Sequence, residues 1–449
     1  MSLKRIIEPS DRRKKLKEVL ESNGFARIIE AHNGISGIIA NDAKITIDDG
    51  TIREFDGMWE SSLTDSASKG FPDVELVGFD SRLNTIQDIL FVTDKPMIVD
   101  GDTGGEATQF EYMCSKLERL GVSAVIIEDK VFPKRNSLEA GANQDLEDPD
   151  IFATKIRRGK SVLISDSFMV IARLESLIAN KGINDAVNRA AKYLEAGADG
   201  IMIHSKQSTP DEVFEFARQY DELCNRIGFR KPLICVPTTY NYITEEEFRE
   251  KGFNIVIHAN HMLRAAYQAM EKVSLSILEN SRTLEASPFC ATVQEIFDAV
   301  GFLDVKNKDH KYSKTKIKAI IPAAGKPSEQ FIKEFGEIPP CLIELKGKSI
   351  IQRQVETLNN VGISNINVVV GYNSHLITYP NCNKIENEQY SDKYILHSLF
   401  KADAEMKDGF VLVYSDILFN ESLLRELLHK KGDIVLVVDN SYSYYKKRI

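Results

Sequence analysis

The residues best equipped for chemistry follow two apolar runs. Ala124 to Ile127 is uninterrupted aliphatic sequence; Glu128, Asp129 and Lys130 come next, and then a loop carrying Lys134, Asn136 and Ser137. A second run ends at Val99 and is followed by Asp100-Gly101-Asp102, two carboxylates on either side of a glycine. With Glu128 these form an all-oxygen donor set without thiols, the kind preferred by Mg2+ or Mn2+. Magnesium tends to keep several waters, so one carboxylate binding directly and the others through water is the expected arrangement. Arg173, His204 and Lys134 can face such a metal with positive charge, and a small dianionic or trianionic substrate follows from that pairing. The plainer alternatives are an acidic cluster balanced by Lys130 and Arg173 and a hydrogen-bonded structural histidine at 204.

These groups need rigid elements behind them. Short apolar runs recur at 26–29, 57–59, 96–99, 124–127, 168–172, 200–203, 233–236 and 254–257, with helical patterns between most of them, as at 109–120, 183–196 and 211–227. Runs that are apolar on both faces read as buried parallel strands. Eight of them alternating with helices in about 250 residues predict a (β/α)8 barrel. Polar residues stand at the same end of seven runs, among them Trp59, Ser61, Asp100, Glu128, Arg173, Glu175, His204, Thr238 and Asn260. In a barrel they converge on one mouth. A surface helix over 10–23, N-capped by the Ser10-Asp11 pair, is predicted ahead of the first strand, and a helix over 263–279 after the last.

The 449 residues exceed one ordinary core and predict two domains. We expect the barrel at 1–304, a lysine-rich polar linker at 305–316, and a second unit at 317–449 with strands at 318–322, 365–370, 410–414 and 433–438 and a helix at 349–360. That alternation reads as an open α/β sheet. A net charge of −9 offers nucleic-acid phosphates no attraction, and no apolar run reaches the roughly 18 residues that span a bilayer. Six cysteines without CxxC spacing and an N-terminus without an apolar core region read as a reduced, cytoplasmic protein with no membrane partner.

The strings AHNGISG (31–37), MWESSL (58–63), VDGDTGG (99–105), EDKVFPKRNS (128–137), IARLES (171–176) and IHSK (203–206) together resemble the phosphoenolpyruvate mutase family of the isocitrate lyase superfamily. The resemblance covers about residues 5 to 280. It implies a barrel whose eighth helix is exchanged between subunits of a homodimer or homotetramer, and Mg2+-dependent isomerisation of phosphoenolpyruvate to phosphonopyruvate. It implies Asp100 as the main metal ligand, with Asp73, Asp102 and Glu128 acting through waters. Trp59, Ser61 and Leu63 would line the pocket, Arg173 and His204 would hold the migrating phosphoryl group, and Lys134, Asn136 and Ser137 would lie on a lid. Lyases of the superfamily carry a cysteine in that lid and this chain has none; phosphonopyruvate hydrolases typically carry threonine where it has Asn136. Ser62 replaces a usual glycine whose amide is expected to donate to the phosphoryl oxygens. Phosphonopyruvate hydrolysis, and a non-catalytic scaffold with a degenerate barrel, are the competing readings.

IPAAGKP (321–327), CLIELKGKSII (341–351) and VYSDILF (413–419) resemble the sugar-phosphate nucleotidyltransferases. That resemblance implies a Rossmann-like domain, apparently truncated, in which Ala324 and Gly325 cradle nucleotide phosphates and Asp416 holds magnesium. Beside a mutase, CTP is the expected nucleotide. The family's usual loop arginine and the lysine before the CLIEL-like strand are replaced here by Lys326-Pro327 and Pro339-Pro340.

Overall fold

The computed structural model describes residues 7–139, 141–305, 317–379, 382–391, 394–407 and 409–439. Internal contacts divide the chain into two units, Met1–Gly301 and Phe302–Ile449. Nearly all of the expected linker at 305–316 lies outside the described residues.

In the first unit β1 (Ala26–Glu30) is followed by a short antiparallel hairpin, β2 (Lys44–Thr46) with β3 (Ile52–Glu54). Then come β4 (Gly57–Glu60), β5 (Met97–Asp100), β6 (Ala124–Glu128), β7 (Met169–Leu174), β8 (Gly200–Ile203), β9 (Leu233–Cys235) and β10 (Ile255–His258). Strands β1 and β4 to β10 close into a barrel in the order β1-β10-β9-β8-β7-β6-β5-β4, every pair parallel. The predicted (β/α)8 architecture is what forms. Side chains alternate along a strand. Ile98, Ala124, Ile126, Met169, Ile171 and Met202 therefore share an inner cluster with Ile28, Trp59, Ile234 and Ile257, while Val99, Val125, Ile127, Val170, Ala172 and Ile201 join a second cluster against the helices.

The helix Pro9–Asn23 closes the N-terminal end. Its Leu16 is fully buried in the inner cluster, and the carbonyl of Arg12 accepts from Ser123 just before β6. Its cap differs from expectation. Glu8 is the N-cap with an extended backbone, and Pro9 opens the helix, because proline's fixed φ and missing N–H suit the first turn. The predicted helix after the last strand runs His261–Asn280.

In the second unit β11 (Lys318–Ala323), the small antiparallel pair β12 (Glu344–Leu345) and β13 (Lys348–Ser349), β14 (Ile366–Val370), β15 (Asn383–Glu386) and β16 (Phe410–Leu412) follow in order. The main sheet is parallel, ordered β15-β14-β11-β16. The helix Ile350–Asn360 packs Ile351, Val355 and Leu358 onto Ala319, Ile321, Val368 and Val370. The strand expected at 433–438 does not form: Ile434, Leu436 and Val438 are 83%, 79% and 74% exposed. Aliphatic β-branched sequence favours a strand only where a sheet edge supplies partners, and among the described residues this segment pairs with none.

Candidate active site

The inner rows of the barrel end in the chemistry. Two residues beyond Ile98 is Asp100, beyond Ile126 is Glu128, beyond Ile171 is Arg173, and beyond Met202 is His204, so all four inherit the inward direction at the C-terminal rim. Glu128 stands beside Arg173 in the β6–β7 register. One cavity there is lined by Trp59, Ser61, Ser62, Leu63, Asp73, Asp100, Lys134, Asn136, Ser137, Arg173 and His204. The structure thus gathers these sequence candidates; Asp102 and Glu128 are not among the lining residues. Thr238 and Asn260 complete its far side.

Asp100 is fixed by short-range bonds. Its Oδ2 accepts from the Ser62 hydroxyl at 2.9 Å and the Ser62 amide at 3.3 Å, and its Oδ1 accepts from the Asp102 amide at 3.2 Å. The Ser62 amide expected to face a phosphoryl group therefore faces Asp100, and the serine hydroxyl links that carboxylate to the lid, accepting from Lys134 Nζ at 2.9 Å. Burial raises the Asp100 carboxyl, but Lys134, Arg173 and Arg82 outweigh it and hold it below the usual range. Burial pushes Glu128 up to about 7 against the pull of Lys134 and Arg173. Lys134 is lowered by burial yet ends well above its ordinary value, because Asp102, Glu128, Asp100 and Asp73 surround it.

Lys134 Nζ lies 2.6 Å from Asp102 Oδ1 and 3.3 Å from Asp73 Oδ1, at angles that make no hydrogen bond. Those two oxygens and both oxygens of Glu128 are buried and accept no hydrogen bond, their nearby cations being ion-pair neighbours only. Such an all-oxygen set fits a hard divalent cation that keeps part of its water shell. Among the described residues no three ligating groups converge on one point, and the expectation for Asp100, Asp102 and Glu128 is one direct ligand with the others acting through water. Arg82 draws Asp102 Oδ2 away at 2.8 Å, and Arg173 Nη1 holds Glu128 Oε2 at 3.2 Å.

The cationic side is built around Glu175, a fully buried carboxylate. It accepts from Arg173 Nε and, at 2.7 Å, from the Ser137 hydroxyl, with Lys130 Nζ 3.2 Å away. Burial raises Glu175, but Arg173, His204 and Lys130 hold it well below its usual value. Ser137 in turn accepts from Arg173 Nη2 at 2.9 Å and from Lys130 at 2.7 Å. Burial and the nearby Arg173 lower His204 against the pull of Glu175; its Nδ1 lies 2.9 Å from Arg173 Nη2 and 3.0 Å from Glu175 Oε1, so a protonated Nδ1 donates to Glu175 and a bare one accepts from Arg173.

Asn136 Nδ2 donates to Asp73 Oδ2 at 2.7 Å, joining the lid to the opposite wall. Arg82 and Glu60, a buried pair behind Asp102, carried no spacing signal in the sequence. Glu175 did, since position i+2 from Arg173 on a strand shares its face. Gly101 allows the close approach: a Cβ there would lie 2.8 Å from Val125 Cγ2, 2.9 Å from Ile127 Cγ2 and 3.1 Å from the Ile126 carbonyl. Gly101→Ala is expected to cost about 1–3 kcal/mol in urea unfolding and, by displacing the flanking aspartates, to lower turnover beyond that loss of folded protein.

In the second unit Ala324 and Gly325 follow β11, and Asp416 follows β16, the adjacent strand. The order of its strands along the chain reverses between these two, where open parallel sheets hold ligands. Gln354 braces the segment on both sides of Asp416, donating to the Tyr414 and Ile417 carbonyls at 2.7 and 2.6 Å. The space beside Gly325 is open: a Cβ there would meet nothing within 4 Å.

Fold and site define a (β/α)8-barrel enzyme with a lid over a mouth lined by carboxylates and cations. The chain belongs to the phosphoenolpyruvate phosphomutase family, whose profile matches residues 16–278. It is 35% identical to a phosphoenolpyruvate phosphomutase of Tetrahymena pyriformis over 69% of this chain and 98% of that one, and 33% identical to a phosphonopyruvate hydrolase of Variovorax sp. over 67% and 98%. The crystal structure of the phosphoenolpyruvate phosphomutase from Streptomyces platensis subsp. rosaceus superposes with a TM-score of 0.61 at 33% identity, covering 67% of this chain and 99% of that one. Phosphonopyruvate hydrolase in complex with oxalate and Mg2+ superposes with a TM-score of 0.60 at 32% identity, covering 69% and 100%. Residues 319–444 match a MobA-like NTP transferase domain. No described helix is long and apolar enough to cross a membrane.

Proposed function

We propose that the barrel interconverts phosphoenolpyruvate and phosphonopyruvate with bound Mg2+. The observation that carries this reading is the meeting of the lid residues Lys134, Asn136 and Ser137 with Asp73, Asp100 and Arg173 around one cavity. Asp100 would hold the metal, with Asp73, Asp102 and Glu128 through its waters; when bound, it offsets the charge of the enolate and carboxylate oxygens.

Arg173 and His204 hold the phosphoryl oxygens. Trp59 and Leu63 wall the pyruvyl part, and Ser137 keeps the arginine aimed. The phosphoryl group leaves the enol oxygen and bonds to the methylene carbon of the same molecule, so no water is consumed and no net proton moves. A loose, metaphosphate-like transfer asks mainly for positioning, charge stabilisation and exclusion of water. No cysteine stands at 134–137 to serve lyase chemistry.

Phosphorus NMR of phosphonopyruvate with enzyme and Mg2+ should show conversion to phosphoenolpyruvate, abolished by EDTA and restored by added Mg2+ or Mn2+. Phosphate and pyruvate as the sole products would establish the hydrolase reading, which the 33% identical relative keeps in play. Assembly into a homodimer or homotetramer is supported by the helix His261–Asn280, which buries none of its residues although Tyr267, Met270, Leu275 and Leu278 are apolar. For the second unit the reading is CTP binding beside Ala324, Gly325 and Asp416.

A further inference from the structure

Glu75 lies outside the substrate cavity, yet its carboxylate ties the lid to the barrel. Oε2 accepts from the main-chain N–H of Lys134 at 2.7 Å. Oε1 accepts from the Thr103 hydroxyl at 2.7 Å and the Thr103 amide at 3.1 Å. Thr103 is fully buried in the turn after β5, and its carbonyl accepts from Lys155 at 2.9 Å, a buried lysine of the helix Pro149–Ser161. A continuous path thus runs from a barrel helix through Thr103 and Glu75 to the lid backbone. Glu75 takes part with a positive φ of 58°, a conformation that costs a non-glycine residue energy and persists only where surrounding contacts enforce it. It borders a second cavity with Gly101, Asp102 and Phe132, away from the substrate-facing wall.

We propose that Glu75 is a positioning residue that sets the partition between phosphoryl transfer to carbon or oxygen and loss to water. The proposal rests on the isomerase reading above. Starting from phosphonopyruvate, the P–C bond breaks in both outcomes. In transfer, the enolate oxygen bonds to phosphorus and phosphoenolpyruvate results. In the leak, the oxygen of a water bonds to phosphorus, one of its protons stays with the phosphate or its buffer, and the other goes to the enolate carbon, giving orthophosphate and pyruvate. Main-chain fastening at Lys134 holds the lid down during the interval in which water would intervene.

The test compares wild type, Glu75→Ala, Glu75→Gln and, as a neighbouring control, Leu76→Ala, whose side chain is exposed. Phosphorus NMR follows phosphonopyruvate with Mg2+, and hydrogen exchange is read on the peptide containing Lys134. Losing a hydrogen bond to a charged acceptor should raise the ratio of phosphate to phosphoenolpyruvate about tenfold in Glu75→Ala and speed lid exchange by a similar factor. Glu75→Gln, which retains an acceptor oxygen, should fall between, and Leu76→Ala should match wild type. A wild type that forms phosphoenolpyruvate while the Glu75 variants keep its product ratio overturns the role of Glu75 alone, whatever the lid exchange does. An equal change in Leu76→Ala overturns it too. A wild type that yields only phosphate overturns the isomerase reading and the partition together.

Discussion

An Arg173→Ala enzyme should lose about 10³-fold in turnover, the upper end of the cost of removing one donor from a developing oxyanion. Three effects add at this position. The guanidinium that would grip the phosphoryl oxygens is gone, His204 loses the neighbour 2.9 Å from Nδ1, and the lid residue Ser137 loses one of its partners. Stability falls as well, because Glu175 loses its main counter-charge and Glu128 loses the second of its counter-charges after Lys134, while both remain buried. Breaking a buried pair from one side costs about 3–5 kcal/mol, visible in urea unfolding. Arg173→Lys separates the two effects: it restores charge near Glu175 and hence much of the stability, but a point charge cannot span Glu128, Glu175 and Ser137 at once, so turnover stays low. Turnover within a few-fold of wild type in Arg173→Ala would remove this arginine from the reaction.

Asp100→Asn should weaken Mn2+ binding, followed by electron paramagnetic resonance, by at least about 100-fold, since even outer partners of a metal site are worth 10–100-fold. The substitution is nearly isosteric, and the Ser62 hydroxyl can still donate to the remaining carbonyl oxygen. What disappears is one anionic charge. That charge is present throughout the neutral range, because Lys134, Arg173 and Arg82 hold the carboxyl below its ordinary value. Turnover should fall in parallel at limiting metal and recover only in part at saturating Mg2+. Unchanged metal affinity would show that Asp100 serves only as counter-charge to Lys134 and as acceptor for Ser62.

Much of this site was legible from strand periodicity. Asp100, Glu128, Arg173 and His204 each sit two residues past a buried aliphatic residue, and a period of two needs no tertiary information to place them on one face. The lid string at 128–137 was legible for a similar reason, as a polar loop directly after a buried strand. Arg82 was not. It reaches Asp102 from a helix 20 residues earlier in the chain, and the amphipathic pattern of that helix gives no sign that one arginine is buried with two carboxylates. The failed strand at 433–438 marks the converse limit: an uninterrupted aliphatic run records a preference, while pairing depends on whether an edge lies alongside.

By itself the sequence determined the barrel, the chemical types at its mouth and the family. These follow from local periodicity and residue identity, which survive without coordinates. Only the tertiary structure decided which charges touch. It joined Ser62 to Asp100 and Asp102 to Arg82, set Glu128 beside Arg173, and made Glu175 and Glu75 anchors for the arginine and the lid. The reason is that Coulomb and hydrogen-bond energies at a buried site depend on separations of a few tenths of an ångström between residues distant in sequence, and side-chain type alone carries no such distance.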